Sequence, residues 1–139
     1  MAVFNAAASG NIQQLEAVLA SQGHLIDTPN NDGRTPMFAA AENGHASVIE
    51  TLVRLGSTAI DTPDNKHGMT PMYAAAKNGH VSAIETLVRL GSLAIDTPDN
   101  DGITPICAAA WNGQASAIET LVRLGSAAVD TPENDGSTP

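Results

Sequence analysis

GRTPMFAAAENGHASVIETLVRLGSTAIDTPDNKH, residues 33–67, is followed by GMTPMYAAAKNGHVSAIETLVRLGSLAIDTPDND at 68–101 and by GITPICAAAWNGQASAIETLVRLGSAAVDTPEND at 102–135. The leading glycines, Gly33, Gly68 and Gly102, set a period of about 34 residues, and self-similarity at such a period is the mark of a stack of small units rather than a globule around one pocket. Outward from these copies, Val3 aligns with Met37 and Gly10 with Gly44, so an older, diverged copy precedes them and stays in step through Ser21. At the other end Gly136-Ser137-Thr138-Pro139 repeats the opening of a copy. One repeat domain over 1–139 is expected, with units near 1–32, 33–67, 68–101 and 102–135 and the start of a further unit at 136–139.

Each unit predicts two helices and a loop. Thr35 can cap the first helix, Pro36 suits its first position, and Gly44 can end it in a left-handed conformation. The second helix is announced by Ser47 and Glu50 in the S-x-x-E spacing of a capping box, repeated as Ser82 with Glu85 and Ser116 with Glu119. Ile49, Leu52 and Val53 follow helical spacing, Glu50 and Arg54 sit four apart on another face, and Gly56 stops the helix. Asp61-Thr62-Pro63-Asp64-Asn65 is turn chemistry. Helices this short are marginal alone, so stability must come from apolar faces buried between neighbouring units.

Composition narrows the function. Six Lys and Arg against fifteen Asp and Glu give a net charge of −9, which argues against nucleic acid or an anionic membrane as partner, since both need a basic footprint. The chain opens without the basic flank of a secretory signal, and no apolar run approaches a membrane span. The lone Cys107 leaves no internal disulfide. A soluble protein of the cytoplasm is expected, or of a host cytoplasm if the chain comes from a secreted effector.

Candidate chemistry dissolves into the repeat. His45 and His80 share a slot with Asn11 and Gln114, where polarity suffices, and no Cys or carboxylate cluster accompanies them at metal-ligand spacing. Cys107 stands where Phe38 and Tyr73 stand and has no activating histidine motif. Asp61, Asp96 and Asp130 recur in register, which offers one environment several times rather than the two a general acid and base require. No phosphate-cradling glycine motif is present. A non-enzymatic chain without cofactor or metal is expected.

The recurring TPMFAAAENGH, TPMYAAAKNGH and TPICAAAWNGQ, followed by IETLVRLG and the D-x-P-x-N loops, resemble ankyrin repeats over essentially the whole chain. The resemblance implies an all-α solenoid of antiparallel helix pairs, β-hairpin-like finger loops, and a concave face of fingers and first helices that binds other proteins. Three departures stand out. Phe38, Tyr73 and Cys107 occupy the place of the family's usual histidine, each full unit runs about one residue longer after its second helix, and Asp64-Asn65-Lys66-His67 exceeds Asp99-Asn100-Asp101 by one residue.

Differences between near-identical copies point to the site. Arg34, Met69 and Ile103 form one varied position, Phe38, Tyr73 and Cys107 a second, and Glu42, Lys77 and Trp111 a third, spaced by four and four so as to share a face. With Lys66 and His67 of the longer fingertip, these residues are the expected partner-binding surface, Trp111 and Tyr73 being the anchors and Arg34, Lys77 and Glu42 setting charge selectivity. Neutral drift at exposed positions is the competing reading. By contrast Arg54, Arg89 and Arg123, each four after a glutamate, are expected on a solvated outer face. Two further function classes remain open: a regulatory or targeting segment of a larger enzyme or microbial effector, and end-to-end self-association through Ile106, Ile118 and Leu121 of an uncovered last unit.

Overall fold

A computed structural model describes residues 2–128. Asp130, the end of the fourth unit and the Gly136–Pro139 opening lie outside the described residues. The helices are α1 Ala2–Ser9, α2 Ile12–Gln22, α3 Pro36–Glu42, α4 Ala46–Arg54, α5 Pro71–Lys77, α6 Val81–Arg89, α7 Pro105–Trp111 and α8 Ala115–Arg123, with a short 3-10 turn at Gly23–Leu25. They form two layers: α1, α3, α5 and α7 pack one on the next, as do α2, α4, α6 and α8, and each first helix packs on its own second helix. This is the all-helical solenoid that the period predicts.

Local chemistry starts and stops these helices. The Thr35 hydroxyl accepts the Phe38 N–H at 3.1 Å, and Thr70 and Thr104 do the same for Tyr73 and Cys107. Prolines follow at the first helical position of α3, α5 and α7. The run of alanines makes these helices thin enough to stack, and Ala40, Ala75 and Ala109 are fully buried. Between the layers Leu15, Leu52, Leu87 and Leu121 form one row of a continuous core, with Met37, Met72 and Ile106 as a second row.

The expected capping boxes do not form. Helices α4, α6 and α8 begin at Ala46, Val81 and Ala115, one residue ahead of Ser47, Ser82 and Ser116, so the serines sit inside the first turn and not at the cap. The cap position belongs to His45, His80 and Gln114, whose side chains turn away from their own helices toward the preceding unit. His45 Nε2 lies 3.0 Å from the Ala8 carbonyl, with its ring against Gly10, and Gln114 donates to the Lys77 carbonyl at 3.3 Å. Gly44 has φ +76°, and a Cβ there would meet His80 Nδ1 at 2.6 Å, so the residue is glycine for two reasons.

Glu50 and Arg54 do not pair within their helix either. Arg54 reaches back to Glu16, Arg89 to Glu50 and Arg123 to Glu85, so the outer face carries a ladder of ion pairs from each second helix to the one before. Each contributes little by itself, because both partners are exposed. The ladder fixes register more than it adds stability.

A third inter-unit contact explains the recurring aspartates. Ser57 Oγ donates to Asp27 Oδ1 and the Thr58 N–H to Oδ2 at 2.9 Å, and Asp61 takes Ser92 and the Leu93 N–H in the same way. Asp96 does so for Ser126 and the Ala127 N–H. The residues added after the second helix are the donors of this latch. Asp27, in the diverged first unit, is its first member.

The fingers close on backbone bonds, Asn30 N–H to Arg34 O, Asp64 N–H to Met69 O and Asp99 N–H to Ile103 O, each 2.9 Å, with Gly33 N–H to Asn30 O at 3.0 Å and Gly102 N–H to Asp99 O at 3.1 Å adding a second bond to two of them. Asn65 N–H to Asp32 O at 2.7 Å and Asn100 N–H to His67 O at 2.8 Å tie each finger to its neighbour. So few bonds within and between fingers give hairpin-like turns, and no strand occurs among the described residues.

Candidate partner-binding face

The three varied positions do not form one exposed patch. Arg34 lies on the extended segment ahead of the Thr35 cap, so helical spacing does not govern it. Phe38 and Cys107 are each 1% exposed, and Tyr73 and Met69 are buried too. With Ala74 and Ala108 and the half-buried Ile103, the residues Phe38, Met69 and Tyr73 make a second, smaller core between the first helices and the fingers. The expectation that Phe38, Met69, Tyr73 and Cys107 face a partner is corrected: each is enclosed within the stack.

What varies at these positions is the way one unit holds the next. Arg34 Nε donates to Asp64 Oδ2 at 3.3 Å and Nη1 to Glu42 Oε2 at 3.3 Å, while the guanidinium sits 4.8 Å above the Phe38 ring. One unit later Met69 replaces the arginine, and the Tyr73 hydroxyl reaches Asp99 Oδ2 at 2.8 Å. An arginine above a phenylalanine at one junction, and a methionine beside a tyrosine at the next, thus engage the same carboxylate position of the following finger. The two columns change as a pair because they share this task.

Asp64 and Asp99 in turn organise their fingers. Asp99 Oδ1 accepts the N–H groups of Asp101 and Ile103, and Asn30 accepts those of Asp32 and Arg34. Asp64 Oδ1 accepts His67 N–H at 3.0 Å and Met69 N–H at 3.1 Å, one residue farther in each case, which absorbs the inserted fingertip residue. Burial of Asp64 would raise its carboxyl pKa, but the two backbone donors and Arg34 outweigh burial and hold it below the ordinary value. Burial pushes the Tyr73 hydroxyl upward, and the Asp99 carboxylate that accepts its proton adds to the rise.

The remaining candidates are accessible. Glu42, Lys77 and Trp111 occupy the last residues of α3, α5 and α7; Glu42 and Lys77 are half-buried and Trp111 is 58% exposed. Lys66 and His67 are exposed on the longer fingertip. Leu93, 89% exposed in the loop after α6, is an apolar surface residue that reasoning from first helices alone misses. Its signal is present in the sequence, since Thr58, Leu93 and Ala127 differ at one loop position of otherwise matching copies.

Of the apolar residues expected to be left open on the last unit, Ile106 is 1% and Leu121 0% exposed, whereas Ile118 is half-buried where its counterparts Ile49 and Ile84 are each 0% exposed. Val122 is the residue that opens outward, at 50% exposure.

Comparison with known proteins agrees with this architecture. A family model described as ankyrin repeats (3 copies) matches residues 3–96. The sex-determining protein fem-1 of Caenorhabditis elegans is 39% identical over 61 residues, covering 40% of this chain and 9% of that protein, so the chain matches a small share of that relative. The matched residues, 3–96, take in the helix pairs α1–α2, α3–α4 and α5–α6. The chain belongs to the ankyrin repeat family, whose repeats serve generally as protein–protein interaction modules.

Proposed function

We propose that the chain is a non-catalytic binding module that holds a protein partner against the accessible ends of its first helices and its longer fingertip. The observation that carries this reading is the division among the varied residues. Those at the Arg34 and Phe38 columns are spent on junctions between units, whereas Glu42, Lys77 and Trp111 form no ladder or latch of the repeating kind and end at the surface. A tryptophan left 58% exposed has the size and amphipathic character of an interface anchor. Lys66 and Lys77, two of the six Lys and Arg on a chain of net charge −9, lie on the same fingertip and first-helix elements, outside the ion-pair ladder, which favours a partner that offers carboxylates around an apolar pocket.

Nothing in this arrangement supports bond-making chemistry. The recurring carboxylates Asp27, Asp61 and Asp96 are each engaged by a serine and a backbone N–H, and Cys107 is buried. The test is capture of partners on the intact chain, followed by affinity measurement with Trp111→Ala, Lys77→Glu and, as an outer-face control, Arg89→Ala. Loss of about 2 kcal/mol or more at Trp111 with the control unchanged is the expected result. Equal binding by all variants, with the fold intact, removes this face from the function.

A further inference from the structure

Each of the eight prolines follows a threonine, so Thr-Pro occurs twice in every full unit, once at the start of a first helix and once in the loop. The structure sorts the six such pairs among the described residues into two sets. Thr35, Thr70 and Thr104 are at most 5% exposed, and their hydroxyls are engaged by the N–H groups of Phe38, Tyr73 and Cys107. Thr28, Thr62 and Thr97 are exposed, as are Pro29, Pro63 and Pro98 beside them. Their main chain is held, each N–H donating to a carbonyl three residues back, on Leu25, Ala59 and Ala94. Their hydroxyls make no hydrogen bond among the described residues.

Within the loop the aspartate has a role in the fold, since Asp27, Asp61 and Asp96 latch the following unit, but the threonine hydroxyl next to it has none. The diverged first unit nevertheless keeps Asp27-Thr28-Pro29, although it carries Ala20 and Gly23 where the other units carry arginine and serine. Proline holds the preceding threonine extended, and its exposed ring, lacking an N–H, suits an apolar pocket that offers no acceptor. We propose that Thr28, Thr62 and Thr97 are acceptor sites for phosphoryl transfer by a protein kinase that recognises threonine followed by proline. In that step the threonine Oγ attacks the γ-phosphorus of ATP, the bond from that phosphorus to the bridging oxygen breaks, ADP leaves, and the hydroxyl proton passes to the base of the kinase. The product places a strongly negative group one residue after a latch carboxylate, so like-charge repulsion loosens the hold of one unit on the next.

The test incubates the folded full chain with ATP and a proline-directed protein kinase, maps the phosphates by mass spectrometry and follows thermal unfolding. The expected result is phosphate on Thr28, Thr62 and Thr97 and none on Thr35, Thr70 and Thr104, the same dipeptide in both sets. The phosphorylated chain unfolds at a lower temperature, and added salt recovers part of the loss because the repulsion is screened. A triple variant, Thr28→Val, Thr62→Val and Thr97→Val, keeps the branched side chain before each proline; it unfolds where the wild type does and takes no phosphate at these loops. Absence of phosphate from the loop threonines of the folded chain overturns the proposal. Equal labelling of Thr35, Thr70 and Thr104 does so too, since the substrate would then be an opened chain, and a destabilised valine variant would give the hydroxyls a role in the fold and remove the argument. An unchanged unfolding temperature after phosphorylation overturns the coupling to the latch.

Discussion

Asp64 offers the sharpest perturbation. Its side chain is 0% exposed and accepts three donors: His67 N–H, Met69 N–H and Arg34 Nε, at 3.0, 3.1 and 3.3 Å. Asp64→Ala leaves the buried Met69 N–H without a partner, worth about 1–3 kcal/mol, and removes one of two carboxylates from Arg34. His67 is exposed and its N–H turns to water at little cost. Together these give a loss of about 3 kcal/mol. Asp64→Asn keeps an oxygen for the two backbone donors, as Asn30 does for Asp32 and Arg34 in the first finger, but puts an amide NH2 where Oδ2 accepts Arg34 Nε, so it loses that hydrogen bond and its charge, about 1–2 kcal/mol. Urea unfolding followed by circular dichroism measures both. The sign of the pH dependence follows from the depressed pKa: the advantage of Asp64 over asparagine is complete above the unfolded value of about 3.9 and is lost as pH falls through the lower folded value. A cost below about 1 kcal/mol for alanine, or an asparagine variant as unstable as the alanine one, refutes the reasoning that this carboxylate joins two units.

Three other substitutions probe the remaining junction chemistry. Tyr73→Phe removes the hydroxyl bonded to Asp99 and is expected to cost about 1–2 kcal/mol at neutral pH in the same urea assay. Because the folded tyrosine pKa lies above the unfolded value of about 10, its contribution is complete below pH 10 and fades as pH climbs beyond it, so the gap between wild type and Tyr73→Phe narrows in alkali. Asp61→Ala strips acceptors from Ser92 and the Leu93 N–H and is expected to cost about 2 kcal/mol, read as a lower denaturation midpoint with an unchanged slope. Gly44→Ala combines φ +76° with a Cβ 2.6 Å from His80 and should cost more than Gly113→Ala, where only the backbone strain of about 1–2 kcal/mol applies; thermal unfolding of the two variants ranks them.

The helix pairs and the caps of the first helices were legible because each rests on residues close in sequence: Thr35 and Pro36 start a helix where an alanine-rich run follows them, unlike Thr62 and Pro63 in the loop, and a 34-residue period allows little besides stacking. Pairings between units were not legible. Glu50 has Arg54 four residues later and Arg89 thirty-nine later, and in near-identical copies every intra-unit pair has an inter-unit twin of the same composition. The structure selects the inter-unit pair. The S-x-x-E pattern misled for a related reason, since Gly44 turns the chain so that Ala46 already starts the helix and the serine arrives too late to cap it.

Variation between copies carried two meanings that sequence could not separate. At Arg34 with Phe38 and Met69 with Tyr73, residues differ in concert because each junction solves one contact with different atoms. At Glu42, Lys77 and Trp111 they differ and reach the surface. Only burial distinguishes the two, and burial at a junction depends on a finger some thirty residues away. Aromatic character alone gave Tyr73 and Trp111 equal standing as anchors, yet one is 5% and the other 58% exposed.

Hydrogen exchange of the chain, free and saturated with a captured partner, tests most directly whether recognition belongs to the first-helix ends and the longer fingertip. Slowed exchange is predicted in Pro71–Lys77, in Pro105–Trp111 and at Lys66 and His67. Protection confined to Ala46–Arg54, Val81–Arg89 and Ala115–Arg123 contradicts it, since those helices carry the ion-pair ladder on the opposite layer.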